Sequence, residues 1–522
     1  MGAATRPGSA RVYAQSPQWL VQYMWISKSR GLVDDTTCVD VASERALRQP
    51  WPERAAPVVL RRRPQRTLLL FEKEWDAAGF GPLGENNEVA IVSRGFDLFR
   101  FPHNARLLTF DAWRFVDQVC DTWRGRIDAV VSNNEQFGAL LAAVIAERLG
   151  LPGEDPAALS RAHHKFAARL AQHNVAPSAT IRGEVLPLEL SDPRVRDPQV
   201  LTEVLRALNW SLPTFVKPVK ATFSVLARSV NSADELARHL RFGSFERLII
   251  RKLVAPYAAL ASRYVTLPSD PTAMLLEEPA DGHQINVDGY VHRGEVRVMG
   301  IVDAWMYPQQ AAGARHFLRF SYPSIVQGEL RRRVLDLTAC IVSALGLRQC
   351  FFNCEFFLGA GGELKFIEIN PRLASQFVHM YRDVDGFDVY RMLMALATGR
   401  DPAEVPRRRP LMGAAASLVW RRFDGTSGPP PADGALAWLA QRYPHARLAM
   451  YHKRGGALAR EYKWLGSHRY AVVNVSAADG AALDHTFEQI CARFGWPAEY
   501  PDRAVSFNAG PRAEAEQLRR SA

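Results

Sequence analysis

Two carboxylates, Glu355 and Glu368, stand thirteen residues apart in the stretch Phe351-Phe352-Asn353-Cys354-Glu355-Phe356-Phe357-Leu358-Gly359-Ala360-Gly361-Gly362-Glu363-Leu364-Lys365-Phe366-Ile367-Glu368-Ile369-Asn370-Pro371-Arg372. The runs flanking Ala360-Gly361-Gly362-Glu363 are apolar and aromatic, which predicts two strands. A two-residue Gly-Gly turn, with positive φ at both positions, joins them into an antiparallel hairpin. With Ala360 facing Glu363, Glu355 falls opposite Glu368, and the two-residue period of a strand puts Asn370 on the same face. Opposed carboxylates repel, and Phe352, Phe356, Phe366, Ile367 and Ile369 predict a largely buried sheet that penalises an unpaired charge. A divalent cation resolves the conflict. Mg²⁺ fits best, because it takes hard oxygen ligands, commonly one or two carboxylates plus substrate phosphates. The plain alternative is an ion pair between Glu355 and an arginine, and Arg372 stands two residues beyond Asn370.

Glu355 followed by Glu368-Ile369-Asn370-Pro371-Arg372 resembles the metal-binding signature of the ATP-grasp superfamily, the fold of biotin carboxylase, D-alanine:D-alanine ligase and the L-amino-acid ligases. The resemblance implies Glu355, Glu368 and Asn370 as ligands of Mg²⁺ against the ATP phosphates, with Arg372 as a catalytic residue that steadies an acyl phosphate. His163-His164-Lys165-Phe166-Ala167-Ala168-Arg169 opens an amphipathic helix that Asn174-Val175-Ala176-Pro177 closes, and it resembles the segment whose lysine, here Lys165, contacts the nucleotide phosphates. The adjacent histidines diverge by about 100° on a helix and read as surface residues rather than as metal ligands.

Pro213-Thr214-Phe215-Val216-Lys217-Pro218-Val219-Lys220 resembles the strand that carries the second phosphate-binding lysine, Lys217, whose burial demands a counter-anion. A glycine-poor loop, Ala221-Thr222-Phe223-Ser224, follows where many relatives have glycines, and a simple turn of a hairpin is the alternative reading. Leu275-Leu276-Glu277-Glu278-Pro279-Ala280 resembles the hinge that binds adenine, so Glu277, Glu278 and Ala280 are expected at the nucleotide, and Gln284 stands where relatives offer a Glu to the ribose. A second hairpin about Arg293-Gly294 is expected to supply the sheet beneath the metal hairpin.

The 522 residues are 48% hydrophobic and 23% charged, enough for three or four ordinary globular domains. The longest apolar stretch, Gly138 to Ala146, is far short of a membrane span, and the N-terminus lacks the apolar core of a signal peptide, so a cytoplasmic enzyme is expected. Six cysteines without a CxxC pair read as reduced core thiols. The net charge of +11 comes from dispersed arginines, with no nucleic-acid motif beside them. Only 9 lysines stand against 56 arginines, which makes Lys165, Lys217 and Lys220 informative.

The expected architecture combines α/β and α+β parts: an ATP-grasp fold with a Rossmann-like pre-ATP-grasp domain, a two-lobed ATP-binding core and a small C-terminal domain. Residues 1–66 read as an extension of uncertain order, 67–155 as the parallel α/β domain, 156–405 as the ATP-grasp domain with its lid at about 213–280, 406–500 as a C-terminal α+β domain and 501–522 as a tail. Gly79-Phe80-Gly81-Pro82-Leu83-Gly84 formally matches a dinucleotide fingerprint but lies beyond its strand and contains Pro82, so it is rejected. Asn133-Asn134-Glu135 sits at a strand-to-helix switch and reads either as a ligand-binding edge or as a helix cap. Arg469 reads as a substrate grip or a structural cap.

The implied activity is an ATP-dependent ligase that joins a carboxylate to an amine through an acyl phosphate, with Lys217 and Arg372 catalytic and Mg²⁺ and ATP as cofactors. Its partners are then small-molecule carboxylate and amine substrates, with neither nucleic acid nor membrane, and a homodimer stays open. A biotin-carboxylase-like ligase acting on bicarbonate and a non-catalytic ATP-binding scaffold are the rival readings.

Overall fold

The computed structural model describes residues 13–15, 63–98, 103–222, 225–308 and 315–501. Most of the N-terminal extension and nearly all of the tail lie outside these residues.

Three parallel strands, in the order Val89–Arg94, Gln65–Leu70, Ala129–Val131, form the first sheet. Leu68, Leu69 and Leu70 are fully buried, as befits a strand covered by helices on both faces. The helix Gly138–Leu149 is buried from Gly138 through Ala146 because its sequence is apolar all round. Asn134 Oδ1 accepts from the backbone N–H groups of Gln136, Phe137 and Gly138, and Gly150 ends the helix at φ 67°. The rejected glycine motif lies inside the helix Glu74–Glu85, where a Cβ on Gly79 would fall 1.9 Å from the Tyr390 ring. Close packing accounts for that glycine.

A second sheet, in the order Gly183–Val185, Met274–Glu277, Thr214–Pro218, Arg228–Val230, is antiparallel and carries Lys217 at its centre. The third sheet holds the hairpin that carries Glu355 and Glu368. From its edge inward it runs Leu364–Asn370, Phe351–Leu358, His283–His292, Glu295–Met306, Phe317–Tyr322, Ala414–Arg422, His468–Ala477, Arg447–Tyr451 and Tyr13–Gln15. The expected hairpin about Arg293 and Gly294 is present, with positive φ at both residues, and Phe351–Leu358 lies against its first strand. Ala414–Arg422 pairs directly with Phe317–Tyr322, so the sheet continues from the core into the C-terminal segment without a break.

A buried charge cluster ties the helix Gly455–Leu465 to this sheet. Lys453 donates to Glu461, and His468 Nδ1 lies 3.1 Å from the same carboxylate. Against the burial that would raise it, His468 and Lys453 hold the Glu461 carboxyl down to about 2, whereas an unfolded glutamate titrates near 4.3. This depressed carboxyl contributes stability that is complete above about pH 4.3 and is lost as pH falls towards 2. Thermal melts across that window are expected to show the wild type losing its advantage over Glu461→Gln as pH drops; a constant difference would refute the assignment.

Candidate functional site

Strands Phe351–Leu358 and Leu364–Asn370 pair with Glu355 opposite Glu368 and Asn353 opposite Asn370. The facing carboxylates are as expected, but the turn is not. Gly359 N donates to Glu363 O, leaving Ala360, Gly361 and Gly362 as a three-residue turn in which only Gly362 has positive φ, at 82°. That turn slips the register by one residue. A bulge at Ile367 slips it back between the Phe356–Phe366 and Glu355–Glu368 pairs. The extra residue turns its carbonyl to a cationic wall, where Arg169 Nη2 donates to Ile367 O at 2.8 Å and Lys217 Nζ at 3.5 Å.

Burial, and then the facing Glu368, pushes the Glu355 carboxyl well above its usual range. Gln284 Nε2 donates to it at 2.8 Å and Asn370 Nδ2 at 3.1 Å. Glu368 goes the other way: despite its burial, Lys165 at 2.6 Å and Lys217 at 3.8 Å hold it low. Lys217 has a protein counter-anion, Glu277 at 2.8 Å, which also pairs with the buried Arg169. Two of the residues expected at the nucleotide have partners within the protein. Lys217 does not lack a carboxylate partner, because the adjoining strand Met274–Glu277 places Glu277 beside it. Gln284 belongs to the carboxylate pair, because His283–His292 runs directly beside Phe351–Leu358.

Lys165, Lys217, Glu277, Gln284, Glu355, Glu368 and Asn370 thus form one contiguous cluster. Glu278 is exposed with Arg182 3.5 Å away, Ala280 is partly buried in the following loop, and neither lines the cleft beside the pair. Of the glycine-poor loop, Phe223 and Ser224 lie outside the described residues; Thr222 borders the cleft.

The histidine pair is buried rather than on the surface. The chain breaks at His164 between the helices Pro156–His163 and Lys165–Val175, and His164 Nδ1 accepts from Ala167 N at 3.1 Å as the cap of the second helix. This break sets Lys165 at a helix N-terminus facing Glu368. Lys220 is also buried, donates to Glu135 O at 2.7 Å and is driven by burial, then by Lys165, down to about 7.

Arg372 pairs with Glu135, which stands at the carboxyl end of the parallel sheet. Despite burial, Arg372 and Lys73 hold that carboxyl at about 2. Within the switch segment, Asn134 accepts from the start of the helix and Glu135 borders the cleft. Arg372 is taken by Glu135, and among the described residues no arginine forms an ion pair with Glu355.

A cleft of ≈ 350 Å³ joins these groups to the C-terminal segment. Arg169, which clamps Glu277 and the Phe366 and Ile367 carbonyls, and Asn286, beside Glu355, are site residues that the sequence reading did not single out. The alternation Gln284, Asn286, Asp288 along one strand face was the available signal for Asn286.

Among the described residues no three His, Cys, Asp or Glu side chains converge on a point. The donor set is two carboxylates and an amide, which suits a hard divalent cation completed by ligand oxygens. Among the described residues Asn286 Nδ2, buried beside Glu355, has no hydrogen-bond partner, a donor free to meet a ligand oxygen. These residues fit Mg²⁺ and a phosphate-bearing ligand.

Residues 210–379 match the family model described as an ATP-grasp domain. A sequence search of curated proteins finds no match. An L-amino acid ligase from Bacillus licheniformis superposes with a TM-score of 0.58 at 16% identity, covering 83% of this chain and 98% of that one. A carboxyaminoimidazole ribonucleotide synthase from Aspergillus clavatus, complexed with ATP, gives 0.54 at 13% identity, with 83% and 98% covered. A biotin carboxylase from Campylobacter jejuni gives 0.51 at 13% identity, with 83% and 92% covered. The chain contains an ATP-grasp domain, and its fold is the ATP-grasp fold.

Proposed function

We propose that this protein is an ATP-dependent ligase that activates a carboxylate by phosphorylation and joins it to an amine. The opposed Glu355 and Glu368, bracketed by Lys165 and Lys217 at the head of the cleft, carry the reading. Glu355, Glu368 and Asn370 would hold Mg²⁺, which when bound supplies charge neutralisation at the transferred phosphoryl group. Lys165 and Lys217 neutralise phosphate oxygens, and Lys217 exchanges part of its bond to Glu277 for them. Glu277 and Gln284 border the nucleotide side, with Glu278 and Ala280 beyond them on the hinge. Arg372, oriented by Glu135, faces the position of the acyl phosphate and stabilises the oxyanion that forms when the amine attacks. The protein would act on small-molecule acids and amines; one neighbour of this fold is named an L-amino acid ligase.

The cleft, at ≈ 350 Å³, is in the range of pockets that enclose whole small molecules. The ligase reading is tested by incubating the protein with ATP, Mg²⁺, hydroxylamine and a panel of carboxylic acids. Hydroxamate and ADP are expected with at least one acid; ATP binding without turnover under every acid would support a scaffold instead, and ADP release with bicarbonate alone would support the bicarbonate-activating reading.

Glu355→Gln should lower Mg²⁺-dependent ADP release by about 100-fold or more, the scale of several kcal/mol of charge stabilisation, while the variant's melting temperature without Mg²⁺ stays at or above that of the wild type. Undiminished turnover would remove Glu355 from the cation site. Arg372→Met leaves the buried Glu135 charge without its partner and is expected to cost about 3 kcal/mol of stability. Adding Glu135→Gln should restore most of it in denaturant titrations; no recovery would mean that the pair is not the source of the loss.

A further inference from the structure

A small pocket adjoins the cleft beside Glu368 and Asn370, and His163, Lys165, Lys220 and Thr222 border it. It shares Glu135, Thr222, Glu368 and Asn370 with the cleft itself. His163 is 7% exposed, and among the described residues neither of its ring nitrogens has a hydrogen-bond partner. Burial, and then Lys220, Arg372 and Lys165, push the ring well below the usual histidine range, so it is neutral. A neutral imidazole carries one N–H and one bare nitrogen in either tautomer. Whichever nitrogen holds the proton, a buried donor stands there without an acceptor, and buried donors are almost always paired.

Lys220 lies on the same aromatic ring. Its Nζ is 5.0 Å from the centre of Tyr257, and the His163 ring packs edge-on against that tyrosine at 6.4 Å. Lys220 is 2% exposed and donates to the Glu135 carbonyl, a neutral acceptor. Among the described residues it forms no ion pair, because the acids around it are engaged by other cations: Glu368 by Lys165, Glu277 by Lys217 and Glu135 by Arg372. Burial, and then Lys165, lowers it to about 7, as expected of an ammonium without a counter-anion. A water molecule in the pocket would supply an oxygen but no charge, and a buried charge calls for a partner of opposite sign. A ring N–H without an acceptor and an ammonium without a carboxylate thus border one pocket.

The neighbours of the pocket select the anion. Glu135 holds Lys220 through its carbonyl and Arg372 through its carboxylate, whereas Lys217, three residues before Lys220, is tied to Glu277 at the hinge. Lys220 therefore belongs to the Arg372 end of the nucleotide site, beside Glu368 and Asn370, and not to the hinge end. Resting on the nucleotide reading above, we infer that the His163 N–H and Lys220 Nζ form an anion subsite for the phosphoryl group that is transferred, binding oxygens that ATP presents there and ADP lacks.

Binding is measured by calorimetry with Mg²⁺ and either ADP or the non-hydrolysable analogue β,γ-imido-ATP. Lys220→Met and His163→Leu are each expected to weaken the analogue by about 10-fold or more, the scale of a hydrogen bond to a charged group, and to change ADP affinity by less than about 2-fold. In protein isotope-labelled at the histidine rings, the resonance missing from His163→Leu is that of His163. It should move in the wild type with Mg²⁺ and the analogue and stay in place with Mg²⁺ and ADP. A resonance that moves with inorganic phosphate but not with the analogue would assign the pocket to a free anion and overturn the inference. His163→Leu removes a ring with no hydrogen bond to lose, so its melting temperature without ligands is expected at or above that of the wild type; a clear fall would reveal a partner within the protein and overturn the subsite. If Lys220→Met does not fold, the His163 variant and the ring resonance carry the test. Equal weakening of ADP and analogue, or an unmoved analogue affinity in a folded variant, overturns the inference alone. Failure of the wild type to bind either nucleotide overturns the nucleotide reading beneath it.

Discussion

Glu355 and Glu368 face each other across a hairpin whose neighbours Phe352, Phe356, Phe366 and Ile369 are buried, and much of the surrounding structure serves to make that placement tolerable. Two charges about 5 Å apart, as on opposed strand residues, repel by about 3 kcal/mol at an effective dielectric of about 20. A domain with roughly 5–15 kcal/mol of net stability does not carry such a term unopposed. The chain divides the work asymmetrically: Glu368 pairs with Lys165 and Lys217, while among the described residues the side-chain hydrogen bonds to Glu355 come from the neutral amides of Gln284 and Asn370. The protein's own cations thus settle Glu368, while burial and its facing neighbour keep the Glu355 carboxyl raised.

The same asymmetry explains Arg169 and Glu277. Lys217 is buried and could not stand beside Glu368 alone, so Glu277 takes most of its charge and Arg169 in turn takes Glu277. Arg169 also donates to the Phe366 and Ile367 carbonyls, which ties the charge ladder to the bulge that aligns the carboxylates. A change at Glu277 therefore reaches the hairpin through two routes, one electrostatic and one through the backbone.

How much of this was legible depended on how local the signal was. The parallel strands, the Arg293-Gly294 hairpin and the facing carboxylates follow from short runs of side-chain type. The register was reached although its stated turn was wrong, because the three-residue turn and the Ile367 bulge cancel; a bulge has no residue signature as plain as Gly-Gly. The burial of His163 and His164 was missed because helical periodicity was read straight through a break at His164. The continuity of the sheet was invisible for a different reason: Ala414–Arg422 pairs with a strand about ninety residues earlier, across a Pro- and Arg-rich connector that reads as a domain boundary. Arg169 and Glu135 find their partners through folding at still longer range.

That continuity has a consequence for the chemistry. One sheet carries an opposed acid pair near one edge and, four strand steps inward, an opposed arginine pair, Arg421 and Arg469. In sequence they look unrelated, the first inside a dense motif and the second split between two strands of the C-terminal segment. On the sheet both border one cleft, with Arg372 and its partner Glu135 also on its walls. Because both pairs are strand residues rather than loop residues, their separation is set by the sheet spacing and does not relax when one end is filled. The distance between the two ends of the cleft is then a property of the fold itself.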